Sequence, residues 1–193
     1  RPDYTCWHVI SYNNDGTVES KQTFQGKNDD SSWARGQAWA IYGYTACFRE
    51  TNDSIFLNFA KDIANMIMDR VKTEDAIPYW DYDAPVTKET PRDVSAASVT
   101  ASAMIELSTM VPDGQKYLDY AEKILKSLSS DAYLAKVGDN QGFILMHSVG
   151  SLPNGSEIDT PLNYADYYYL EALKRFMELK KLKVENGELR VIQ

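Results

Sequence analysis

Along most of this chain apolar residues recur every three to four positions, the spacing that gathers them on one face of an α-helix. Five such segments can be placed, over residues 32–51, 54–73, 93–110, 113–129 and 162–181. The second carries Ile55, Phe59, Ile63, Ile67 and Val71 as a stripe predicted to face a core, and the fourth does the same with Tyr117, Tyr120, Ile124 and Leu128. The third is built around SAASVTASA, whose small side chains let neighbouring helices approach closely, and it is predicted to be central. Ahead of them, VISYNNDGTVES combines strand-forming residues with an Asn/Asp/Gly-rich turn and reads as a hairpin.

The connections alternate. The first, third and fifth helices each follow a long loop (QGKNDDSS, YWDYDAPVTKETPRD, HSVGSLPNGSEIDTP), whereas the second and fourth follow their predecessors through short turns. Short connections join antiparallel partners. The starts of the first, third and fifth helices lie about sixty to seventy residues apart, which predicts repeated helical hairpins with their long loops gathered at one mouth. Helix N-termini at such a mouth offer free N–H groups and partial positive charge, suited to a carboxylate or sulfate.

Charge narrows the field of partners. With 20 Lys and Arg against 28 Asp and Glu, the chain carries a formal net charge of -8 and lacks the basic footprint that nucleic acid requires. No apolar run reaches the length of a membrane span. Cys6 and Cys47 are too few for a disulfide framework and lack metal-ligand spacing, so they read as free thiols and leave cytoplasm and periplasm both open. The chain starts RPDYTCW, without a methionine, which suggests a processed protein or a piece of a longer one.

Candidate chemistry centres on DDSSWARGQAW. Asp30, Ser31 and Ser32 are good N-cap residues, so a helix is predicted to begin near Trp33, with Arg35 and Trp39 one turn apart on the same face. An arginine and an indole so placed can clamp a carboxylate and stack on a sugar ring; they can equally be a cross-helix ion pair beside a packed tryptophan. Gly36 in the first turn marks close approach of another group. His8 and His147 are the only histidines, each preceding a loop, and neither has a second ligand at metal-binding spacing. Asp29, Asp30, Asp81, Asp83 and Asp93 fall in the mouth-side loops, where paired carboxylates could serve glycosidic chemistry. Helix capping is the preferred reading for Asp30 and Asp93. No nucleophile elbow or glycine-rich phosphate loop is present.

Four blocks, QGKNDDSSWARGQAWAIYGY, PYWDYDAP, RDVSAASVTAS and GFILMHSVGSLPNGSEIDTPLNYADYYYLEALKR, occur in an order and spacing that resembles the unsaturated glucuronyl hydrolases, glycoside hydrolase family 88. The resemblance runs nearly to Phe176. It implies an all-α fold, an (α/α)6 toroid, present here as an incomplete C-terminal portion, with residues 1–193 forming the C-terminal half of one domain. It implies hydrolysis of oligosaccharides that bear a 4,5-unsaturated uronic acid at the non-reducing end, the products of polysaccharide lyases. It implies no metal and no organic cofactor: an aspartic acid protonates C4 of the vinyl ether, water adds at C5, and the hemiketal collapses to release the next sugar.

Carried over by position, the resemblance implies substrate-binding roles for His8, Gln25, Arg35 and Trp39. Ser151, Asn154 and Ser156 match a loop that meets the neighbouring sugar. Some sulfate-accepting members carry serine, serine and lysine there, so Ser156 in place of lysine argues against a strong preference for a 6-sulfated sugar. No aspartate of this chain matches the family's two catalytic aspartates, which lie upstream of the position of Arg1. The expectation is a substrate-binding half that needs the N-terminal half of the same domain and is inactive alone. The alternatives are an unsaturated rhamnogalacturonyl hydrolase and a non-catalytic helical-hairpin module with an aromatic groove for a glycan or protein.

Overall fold

The computed structural model describes residues 1–185, with side chains to residue 181. Two strands, β1 (Val9–Tyr12) and β2 (Val18–Gln22), form an antiparallel hairpin, followed by helices α1 (Ala34–Thr51), α2 (Ser54–Arg70), α3 (Val94–Ser108) and α4 (Gln115–Leu128). A second antiparallel hairpin, β3 (Ser148–Ser151) with β4 (Ser156–Thr160), precedes α5 (Asn163–Glu185). All five predicted helices and the first hairpin are present. The second hairpin lies within the stretch read from sequence as the long loop before the fifth helix.

The packing follows from side-chain size. Helix α3 is buried along nearly its whole length, and its alanines and serines let α1 and α5 flank it while α4 lies behind. Helices α1, α3 and α5 thus line one layer, and α2 and α4 back it. One core cluster joins Ile41 of α1, Ile63 and Ile67 of α2, Met104 of α3, Ile124 and Leu128 of α4 and Tyr169 of α5. On α2 only the C-terminal part of the expected stripe is interior: Ile63, Ile67 and Val71 are buried, but Ile55 and Phe59 are exposed. Steps of four residues overshoot a full turn by about 40°, so five such positions sweep round the helix instead of holding one face.

Helix α1 starts where expected but is not capped as expected. Its N-cap is Trp33, with no side-chain cap, so Asp30, Ser31 and Ser32 do not cap it. The reason is that residues 32–33 are still extended and pair with residues 80–82: Ala34 N donates to Trp80 O and Tyr82 N to Ser32 O. Asp93 does cap α3, accepting from Ser95 N.

Candidate functional site

The beginnings of α1, α3 and α5 meet under the β3–β4 hairpin. Arg35, in the first turn of α1, is 2% exposed, and its Nη1 donates to Asp93 Oδ2 at 2.8 Å, making a buried ion pair between the starts of α1 and α3. The same guanidinium donates to Val149 O at 2.5 Å and to Gly150 O at 2.7 Å, gripping strand β3 by its backbone. It lies 4.4 Å from the Trp33 ring and 5.5 Å from that of Tyr164 on α5. The charge of this buried arginine is matched by Asp93 and both of its Nη groups are engaged, so it holds the wall from behind and does not stand free as the predicted clamp for a ligand carboxylate.

Gln25 reaches the same point from the other side, donating from Nε2 to Gly150 O at 2.8 Å. His8 stacks on Trp33 with ring centroids 4.4 Å apart. Its Nδ1 accepts from Phe24 N and Gln25 N, at 3.1 and 3.2 Å, which makes Nδ1 the unprotonated nitrogen. Burial, with the nearby Arg35 charge, holds the imidazole below its ordinary pKa, so His8 is neutral around pH 7. Asn154 donates to Ser151 Oγ at 2.7 Å and to Phe24 O at 3.1 Å, tying the tip of the second hairpin to the turn that carries Gln25. Ser156 stands opposite Ser151 in the ladder and is exposed.

Six of the seven sequence-predicted residues therefore share one wall. Trp39 stands one turn further along α1, packed against Tyr164 and Tyr168 with centroids 6.3 and 5.2 Å away, and it joins the wall through Tyr164, which touches both its ring and Arg35. The group that approaches Gly36 is the Trp33 indole: a Cβ on Gly36 would lie 3.0 Å from the ring. His147 is apart from this wall, its Nδ1 2.6 Å from Asp159 Oδ1 at the base of the second hairpin.

The mouth-side aspartates hold loops. Asp81, fully buried, accepts from Lys27 N and Ser31 Oγ, while Asp83 accepts from Ser32 N and pairs with Arg70. Asp29 accepts from Thr23 N. Among the described residues no group of three or more His, Cys, Asp or Glu is placed to hold a metal ion. Sequence reasoning missed Trp33 and Tyr164 as parts of the wall. Both stand beside predicted helix starts, and aromatic residues at a mouth were the available signal.

No protein-family model matches the chain. It is 47% identical over 181 residues to an unsaturated glucuronyl hydrolase of Formosa agariphila, a match covering 93% of this chain and 45% of that protein. It superposes with a TM-score of 0.92 on the crystal structure of an unsaturated glucuronyl hydrolase specific for heparin, at 57% identity over 94% of this chain and 49% of the other. An unsaturated glucuronyl hydrolase variant from Streptococcus agalactiae, solved with dGlcA-GalNAc6S, superposes with a TM-score of 0.80 at 32% identity, covering 91% of this chain and 48% of the other. The helical hairpins are therefore an arc of the helical toroid of these proteins, and the chain spans about half the length of the relatives it matches.

Proposed function

We propose, on the premise that this chain is a homologue of the unsaturated glucuronyl hydrolases over about half of their length, that it supplies the C-terminal half of a toroidal glycoside hydrolase domain and one wall of its substrate site. The substrate is an oligosaccharide with a 4,5-unsaturated uronic acid at its non-reducing end, of the kind lyases leave from glycosaminoglycans. The reaction is hydration of the vinyl ether, with the proton donor contributed by the complementary half of the toroid.

In this reading the wall has a fixed base and a variable face. Arg35, Gln25 and His8 set the backbone of β3 and of the turn at residues 23–26. Trp39 and its neighbouring tyrosines offer flat surfaces to the unsaturated ring. Ser151, Asn154 and Ser156 meet the next sugar, and the absence of a cation at Ser156 disfavours strong selection for 6-sulfation. The observation that carries the proposal is the convergence of Arg35 and Gln25 on the Gly150 carbonyl, directly beneath Ser151 and Asn154.

The test is an assay of the chain joined with its complementary half on lyase-generated unsaturated disaccharides, following loss of the conjugated uronate's absorbance. The joined protein removes the chromophore and the chain alone does not. If the joined protein leaves these disaccharides intact while cleaving saturated glycosides, the reading is wrong. Arg35 acts here through β3 and does not touch the sugar, so Arg35→Ala leaves Asp93 buried and unpaired, costs about 3–5 kcal/mol in unfolding free energy, and lowers kcat/KM by displacing the hairpin.

A further inference from the structure

Behind the site wall lies a second concavity that the proposed reaction does not use. Residues 79–84 form the partition. Trp80 and Ala84 pack with Trp33 and Val149, while Tyr79, which touches the same cluster, lines with Tyr82 a hollow of about 310 Å3. Its rim carries Arg70 and Lys72 at the end of α2, and Arg92 just before α3. An adjoining shallower hollow of about 490 Å3 shares Tyr79, Val86 and Arg92 and adds Lys88, Thr87 and Thr90.

Four cations therefore border one continuous groove, and no carboxylate lines either hollow, although the chain as a whole carries a net charge of -8. Asp83 and Asp75 do pair with Arg70 and Arg92, at 2.7 and 3.4 Å, but they hold those side chains from outside the lining. Asp75 is itself engaged by Ile77 N and Tyr133 Oη, so Arg92 is fixed in place, its guanidinium 4.4 Å from the Tyr79 ring. Lys72 has only a 3.9 Å contact to Asp69, and Lys72 and Lys88 are exposed. The floor between the cations is flat and apolar, formed by Tyr79, Tyr82 and Val86.

From this geometry we infer that the groove binds an acidic oligosaccharide, a chain whose carboxylates or sulfates are spaced by sugar rings with C–H faces. Such a chain brings separated anions to the cations and C–H faces to the aromatic floor. A nucleic acid is disfavoured, because its denser phosphates need a broader basic surface than this acidic protein offers. None of the seven residues of the site wall lines either hollow, so the ligand is held apart from the site proposed to process the unsaturated ring. The inference does not depend on the hydrolase reading.

A saturated chondroitin sulfate hexasaccharide, which lacks the unsaturated ring and so cannot be turned over by the proposed reaction, is titrated calorimetrically into the chain at low ionic strength. It binds, and the paired reversal Lys72→Glu with Lys88→Glu weakens binding by about tenfold or more. The control reversal Lys123→Glu with Lys174→Glu, on exposed positions of α4 and α5, leaves it unchanged, and circular dichroism verifies that both variants keep their helices. Any of four results overturns the inference: no binding, equal weakening by both reversals, tighter binding of an oligothymidylate of equal charge, or equal affinity for inorganic sulfate alone.

Discussion

The two hairpins have strands of identical lengths, four and five residues, yet they are built on different physics. In the first, side chains do little packing: Tyr12 and Val18 are 61% and 47% exposed, and the hairpin lies against the surface. In the second, every residue of β3 is buried, although its sequence is only Ser-Val-Gly-Ser. What holds β3 is its backbone, whose carbonyls at Val149 and Gly150 receive Arg35 and Gln25, and whose Val149 N lies 3.5 Å from Asp93. A strand can thus be interior without being apolar when its backbone carbonyls are matched by side chains fixed elsewhere, even though Ser148 Oγ in this strand is buried without a partner.

That contrast can be broken experimentally. Asp93→Ala leaves Arg35 buried and unpaired and removes the α3 cap, and it should cost about 3–5 kcal/mol in urea unfolding. A loss under about 1 kcal/mol would mean that β3 is held by something other than this ion pair. Gly150→Ala is next. Its new Cβ would fall 2.6 Å from Glu157 Cβ, so the hairpin must shift, at a cost of about 1–3 kcal/mol.

A smaller effect comes from His8. Its pKa is lowered in the folded state, so below about pH 6.5 the unfolded chain takes up a proton that the folded chain resists. Stability therefore falls on acidification through that window. Because other groups also titrate, the check is the difference: the urea midpoint of His8→Gln should fall less than that of the parent between about pH 7.5 and about pH 5. The smallest effect belongs to the first hairpin, where Tyr12→Thr should change unfolding free energy by no more than about 0.5 kcal/mol.

The same contrast explains what could be read from the amino-acid order. The first hairpin and all five helices are legible because periodicity and the Asn-Asp-Gly turn report directly on side-chain burial. The second hairpin shows only a turn signal at Pro153-Asn154-Gly155. Its register shifts between Ser148 and Val149, and Glu157 and Asp159 have positive φ values of 52° and 51°, so no clean alternation survives along the strands. The start of α1 near Trp33 is legible but its cap is not, for a related reason: strand-like pairing of residues 32–33 with the 80–82 segment, a long-range contact, overrides the local capping preference of Asp30, Ser31 and Ser32. At the site, spacing placed Arg35 and Trp39 on one side of α1 and both lie against Tyr164, but the choice between ion pair and free clamp depended on Asp93, which is distant in sequence.

The Gly150 carbonyl has two lone pairs, and Arg35 and Gln25 occupy both. Its oxygen is engaged from behind, so in the proposed reading selectivity at this part of the mouth falls to the side chains at 151, 154 and 156. The mount and one of its fittings are thereby separable: Ser156 is exposed and can be exchanged without disturbing the strand that carries it, whereas Asn154 also ties the hairpin tip to Phe24 O.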